Sequence, residues 1–215
     1  FASQGEFSEA GEVTRYISDS QLEFLDKYMW KKGVLGSENM GGTFASLRAS
    51  DLIHAGAVDR YLMGKVPASI DLMAWNADGT RMPYRMHTEY LHKLYLHNEL
   101  ARNKFTVGGK TVSLQDIRAP IFNLGTETDH VAPWKSVYKL RGLTRTEVTF
   151  LLTSGGHNAG VISGAEHPRR RYRIKTQSAD DRFIDPDTWM ETVEVQQGSW
   201  WPAWDEWLNQ RITST

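Results

Sequence analysis

Residues 120–161 read PIFNLGTETDHVAPWKSVYKLRGLTRTEVTFLLTSGGHNAGV, and the order of their apolar and polar runs decides the fold class. Pro120 to Gly125 is short and apolar, as a buried strand is. Pro133 to Leu140 reads as a short helix, with Pro133 suited to its first turn. Glu147 to Thr153 alternates and then runs apolar, the pattern of a second buried strand. Strand, loop, helix, strand, loop is half of a doubly wound α/β sheet.

Each predicted strand runs into a loop with a chemically capable residue. The first loop, Gly125 to Trp134, carries Asp129 and His130; the second, Ser154 to Val161, carries His157 between glycines. In open α/β sheets, catalytic groups gather beyond the carboxyl ends of the strands. A histidine titrates near neutrality and can take and return a proton. A carboxylate on its other ring nitrogen fixes the tautomer and stabilises the imidazolium. The bland alternative has Asp129 capping the following helix and His157 as an ordinary loop histidine.

Working outward, residues 1–17 read as a loop. Ser18-Asp19-Ser20 offers N-cap oxygens, Leu22, Leu25, Tyr28 and Met29 recur at helical spacing, and Gly33 stops the helix. Gly36 to Gly42 reads as a joint. Residues 44–62 suggest one or two short helices ending near Gly64. A further helix begins near Pro83, with Met86, Tyr90, Leu91, Leu94, Tyr95 and Leu100 as its apolar face. Residues 18–103 are therefore expected to be mainly helical. Phe105 to Val112, with Gly108-Gly109 at its centre, reads as a small hairpin. Residues 164–187 are polar and read as a surface excursion. A last helix is expected over Trp201 to Arg211.

Composition narrows the chemistry. The 215 residues carry a net charge of −1, so no general attraction to nucleic acid follows. No apolar run approaches the roughly 20 residues that span a bilayer. There is no cysteine, which excludes disulfides, Cys-ligated zinc and a thiol nucleophile within these residues. No Gly-x-Ser-x-Gly elbow occurs either. The chain opens at Phe1 without an initiator Met, so it is expected to be part of something longer, with the nucleophile before Phe1. His87 and His92 are five apart rather than the four that a helical zinc pair needs, and no metal site is expected. Four of the eight tryptophans fall between Trp200 and Trp207, and an aromatic anchor for the last helix is expected there.

Several blocks carry a resemblance. Leu47-Arg48-Ala49-Ser50-Asp51-Leu52-Ile53, Tyr61 to Lys65, Asp71 to Thr80 with Trp75-Asn76, Asp129-His130-Val131-Ala132-Pro133-Trp134, Gly156 to Ile162 and Gly198 to Trp204 together resemble the polyhydroxyalkanoate (poly-3-hydroxybutyrate) synthase family. The resemblance runs in order from about Gly41 to Trp207. It implies the C-terminal part of an α/β-hydrolase fold, the last strands and helices of its sheet, with residues 1–103 a mostly helical cap and 104–215 core. It implies a Cys-His-Asp triad with His157 and Asp129 as its members here and the cysteine upstream. The substrate implied is (R)-3-hydroxyacyl-coenzyme A, polymerised with release of coenzyme A onto a growing polyester chain. Arg48, Trp75, Asn76 and His130 are then candidate substrate-side residues. No cofactor is implied. The resemblance further implies a cytoplasmic homodimer of the full-length protein at polymer granules. Asn158 departs from the isoleucine often found after the catalytic histidine, and Arg169 to Lys175 departs from a shorter stretch and reads as solvated surface. A serine esterase or depolymerase of related fold, and a non-catalytic partner of a synthase, are the alternatives; the elbow residue, cysteine or serine, separates the synthase from the esterase.

Overall fold

The computed structural model describes residues 1–47, 57–65, 71, 74–75 and 78–212. They cluster into two compact units: 12–92, and 1–11 together with 93 onward.

In the unit spanning 12–92, the helix Asp19–Lys32 begins where Ser18 accepts from the Gln21 N–H and ends at Gly33, whose φ of 72° turns the chain out of the helix. Two short strands, β1 (Val34–Leu35) and β2 (Met82–Pro83), pair antiparallel. The expected joint at Gly36 to Gly42 is instead the start of a helix, Ser37–Leu47. The glycine signal misled because Gly36 stands just before that helix and Glu38 supplies a favourable negative charge to its first turn. The helix Tyr84–Glu89 widens into π-type turns over Tyr90–Leu96. That wider winding breaks the 3.6-residue repeat on which the expected apolar face rests. Within the preceding α-helical turns, Met86 is exposed while His87 turns inward.

The other unit is an α/β layer structure. A small hairpin, β3 (Thr106–Val107) with β4 (Lys110–Thr111), turns at Gly108-Gly109, both at positive φ. The sheet follows, in the spatial order β5 (Ile121–Thr126), β6 (Val148–Thr153), β7 (Arg171–Gln177) and β8 (Gln196–Gln197). β5 and β6 are parallel, joined through the helices Trp134–Tyr138 and Leu140–Leu143; β7 and β8 continue the sheet antiparallel.

β6 lies between β5 and β7 and is buried along its whole length. Successive side chains point to opposite faces. Phe150 and Leu152 pack with Tyr138, Val137, Ala132 and Trp189 on one face. Leu151 packs with Leu124 and Trp200, flanked by Phe122, Tyr172, Ile174 and Trp204, on the other. The last helix, Trp201–Asn209, is anchored by these rings and by Trp207 Nε1, which donates to Thr149 Oγ1 at 3.0 Å.

Residues 164–187 are not the surface excursion that their polarity predicts. Their centre is β7, in register with β6 from Thr153↔Tyr172 to Val148↔Gln177. An antiparallel strand near a sheet edge needs only one apolar face. Tyr172 and Ile174 supply it, while Arg171, Arg173 and Lys175 occupy the alternate positions. Asp185 caps the next helix, Pro186–Thr192, accepting from the N–H groups of Asp187 (3.1 Å) and Thr188 (3.0 Å). That helix carries the fully buried Trp189. The N-terminal segment also belongs to this unit: the Ala2 N–H donates to Leu124 O on the outer side of β5 at 2.7 Å.

Candidate functional site

The parallel register pairs Thr126 with Thr153, so β5 and β6 end at the same level of the sheet. The loops that follow are tied to each other. Glu127 N–H donates to Thr153 O at 2.9 Å, and Thr128 N–H donates to Gly155 O at 3.1 Å. The helix after the second loop, Ala159–Ile162, packs so closely on β5 that a Cβ on Gly160 would stand 2.8 Å from Thr126 Cγ2. Side chains from the two loops therefore meet at the carboxyl edge of the sheet.

The Asp129 side chain is fully buried and the His157 side chain is 31% exposed. His157 Nδ1 lies 2.9 Å from Asp129 Oδ2. Thr126 Oγ1 donates to the same oxygen at 3.0 Å. The other oxygen, Oδ1, accepts from the backbone N–H groups of Val131 (2.9 Å) and Ala132 (2.8 Å). Burial pushes the Asp129 carboxyl upward, but the hydrogen bond to His157, the Ala132 N–H, the charge of His157 and the Val131 N–H outweigh it. Its pKa is held below the ordinary carboxylate value. An ionised carboxylate only accepts, so Nδ1 of His157 must donate. In the neutral ring this leaves the lone pair on Nε2, the arrangement of a general base.

Charge on β7 steadies the first loop. Glu127 Oε2 accepts from Arg171 Nη2 at 2.7 Å, and Oε1 lies 3.5 Å from Arg173 Nη1. The basic stretch that reads as solvated surface is thus partly engaged here. The adjacency of an acidic loop residue and an arginine run is a signal the sequence holds, but only the pairing of β6 with β7 brings them together.

Of the six residues singled out from the sequence, the structure brings together Asp129 and His157. His130 follows Asp129 in the same loop and is half-buried. Trp75 is exposed and belongs to the unit spanning 12–92. Arg48 and Asn76 lie outside the described residues. Sequence reasoning missed Thr126, Glu127, Arg170, Arg171 and Arg173. Among the described residues, no group of three or more His, Cys, Asp or Glu side chains is placed to hold a metal ion.

Two adjacent parallel strands ending in a buried carboxylate and a partly exposed imidazole define an α/β protein with a paired acid–base site. Sequence relatives give that class a specific neighbourhood. The chain is 39% identical over 210 residues to the poly(3-hydroxyalkanoate) polymerase subunit PhaC of Rhizobium meliloti, covering 98% of this chain and 34% of the relative. It is 36% identical over 209 residues to the poly(3-hydroxyalkanoate) polymerase of Methylorubrum extorquens, covering 97% of this chain and 34% of that protein. It is 36% identical over 170 residues to PhaC of Cupriavidus necator, covering 79% and 28%. The chain spans about a third of the length of these curated relatives. No family model matches it. Nearly the whole chain is thus homologous to part of the poly(3-hydroxyalkanoate) polymerases.

Proposed function

We propose that these residues form the C-terminal part of a polyhydroxyalkanoate synthase with an α/β-hydrolase arrangement, and that Asp129 and His157 are its acid–base pair. The observation that carries the reading is the 2.9 Å contact between His157 Nδ1 and the buried Asp129 carboxylate, in a chain whose relatives are named polymerases of this polyester. The 215 residues hold no cysteine and the relatives are about three times longer, so the nucleophilic thiol is assigned to sequence upstream of them.

In this mechanism His157 Nε2 takes the proton of the cysteine thiol. The thiolate attacks the carbonyl of (R)-3-hydroxyacyl-coenzyme A, and a protein thioester forms as the coenzyme A sulfur departs with the proton held by the imidazolium. A hydroxyl, on a second monomer or on the end of the chain, then gives its proton to His157 and attacks the thioester. The new ester bond lengthens the chain and the cysteine returns as the leaving group. Asp129 keeps Nδ1 protonated throughout and stabilises the imidazolium at each transfer. Arg48, Trp75, Asn76 and His130 are proposed to contact the substrate, and residues 1–103 to serve as the cap. The full-length protein is proposed to act as a homodimer at the surface of polymer granules in the cytoplasm.

The test uses the full-length protein that carries these residues. Coenzyme A release from 3-hydroxybutyryl-coenzyme A is followed with a thiol reagent. His157→Ala is expected to lower turnover by about 10³-fold or more, as removing a catalytic base does, with an unchanged circular dichroism spectrum. Turnover within a few-fold of wild type in a folded His157→Ala protein overturns the assignment.

A further inference from the structure

The loop that carries His157 runs from Ser154 to Asn158 and leads into the short helix Ala159–Ile162. Short glycine-containing loops have few contacts of their own. A base held to within a fraction of an ångström needs something rigid behind it. Gly155 is at a φ of 107°, a conformation open to glycine alone at ordinary cost. From the acid side, Thr128 N–H donates to Gly155 O and Asp129 holds His157 itself.

Further support comes from one guanidinium that reaches both ends of the loop. Arg170 Nη1 donates to Ser154 O at 3.0 Å, on the near side of His157. Arg170 Nη2 donates to Ala159 O at 2.9 Å, on the far side, and to Ser163 Oγ at 2.6 Å, just beyond the helix. Ser163 Oγ itself bonds to Ala159 O. The fork spans both ends of the loop, as the fixed geometry of a guanidinium allows and an ammonium does not. A Cβ on Gly155 would collide with Arg170 Nη1, so the glycine leaves room for the fork beneath the turn. Arg170 is fixed in turn by its place immediately before β7. The next residue's N–H donates to Ser154 Oγ at 3.2 Å, and Arg170 O accepts from Gly198 N–H at 2.7 Å.

We infer that Arg170 is a positioning residue for the acid–base pair: it holds the His157 loop against the end of β7 so that Nδ1 stays on Asp129 and Nε2 stays aimed at the reacting thiol. This rests on His157 acting as the base. Arg170 need touch neither substrate nor nucleophile to do so.

The test is made in the full-length protein. Arg170→Ala and Arg170→Lys are compared with Arg169→Ala, whose side chain is exposed. Coenzyme A release gives kcat and KM, and thermal melting gives the folded fraction. Arg170→Ala is expected to lower kcat about 10–100-fold, the scale of a small misplacement of a catalytic group, with KM unchanged. Added guanidinium ion is expected to restore part of the lost kcat, Arg170→Lys to fall between, and Arg169→Ala to match wild type. On a His157→Ala background, Arg170→Ala is expected to cause no further loss, because the two act as one unit. A folded Arg170→Ala protein with wild-type kcat overturns the inference. So does a raised KM with unchanged kcat, which would place Arg170 on the substrate instead. If Arg170→Ala does not fold, the kcat of folded Arg170→Lys decides, and a wild-type value overturns the inference; failure of both to fold makes the residue structural and the inference wrong. If His157→Ala alone retains activity, the acid–base reading fails, whatever Arg170 does.

Discussion

Asp129→Asn is nearly isosteric, yet the structure makes it a severe change. The two carboxylate oxygens have different partners. Oδ1 accepts from the Val131 and Ala132 N–H groups; Oδ2 faces His157 Nδ1 and Thr126 Oγ1. An asparagine oxygen left on the two N–H groups puts its NH₂ against His157. Nδ1 must then accept, the proton moves to Nε2, and the base is lost. The flipped amide would keep the correct tautomer but set its NH₂ against two buried N–H donors. Each unsatisfied donor costs about 1–3 kcal/mol, so the flip costs at least about 2 kcal/mol, a factor of about 30. Turnover is therefore expected to fall at least about 30-fold, and up to the roughly 10⁴-fold seen when a triad carboxylate becomes an amide. The protein should still fold, because the favoured amide keeps both backbone bonds. Coenzyme A release by the full-length protein measures the loss, and nitrogen NMR of labelled histidine reads the tautomer. A folded Asp129→Asn protein with more than about a tenth of wild-type turnover would refute this account of the two oxygens.

Three further outcomes are expected. The Asp129 carboxyl is held below its ordinary range in the fold, so its contribution to stability is present above the unfolded pKa of about 3.9 and is lost as pH falls through the folded value; urea titrations should show the gap between wild type and Asp129→Asn closing in acid, and a constant gap contradicts this. Burial first, and then the nearby Asp185 charge, push the Tyr138 hydroxyl up to about 12; its stabilising share is full below pH 10 and lost as pH rises towards 12, and difference spectra should show Tyr138→Phe removing a late-titrating tyrosine. Trp189 is fully buried against Tyr138 and Phe150, so Trp189→Ala should cost about 3–5 kcal/mol in urea unfolding; Trp189→Phe should cost much less, since it also removes a buried indole N–H that has no acceptor among the described residues.

The sheet strands β5 and β6 were legible because both lie inside the sheet or under helices, and continuous apolar runs report burial directly. The Asp129 and His157 loops were legible for the same reason, since a site at the end of a strand inherits its position from the strand. β7 was hidden because half its side chains are arginine or lysine, and composition outweighed a two-residue alternation of Tyr172 with Ile174. The helix Ser37–Leu47 was hidden by its glycines. The bracing of the loops by Glu127 and Arg170 was hidden although its residues, an acidic loop position and an arginine run, stand in plain sight. Those contacts join residues 7–46 positions apart, and no local pattern encodes which loop an arginine will meet.

The N-terminal residues return to the same unit as residue 93 onward, and they do so beside it in space. The Phe7 ring lies 4.8 Å from the Tyr95 ring, and Phe7 N–H donates to Asn98 Oδ1 at 3.1 Å. The two segments that flank residues 12–92 therefore belong to one unit and touch each other there. A segment attached in this way is a replaceable module, because the body loses no through-strand when the module changes length or sequence. A graft that exchanges residues 12–92 is expected to fold only if it keeps Phe7, Tyr95 and Asn98, which hold the two flanking segments together.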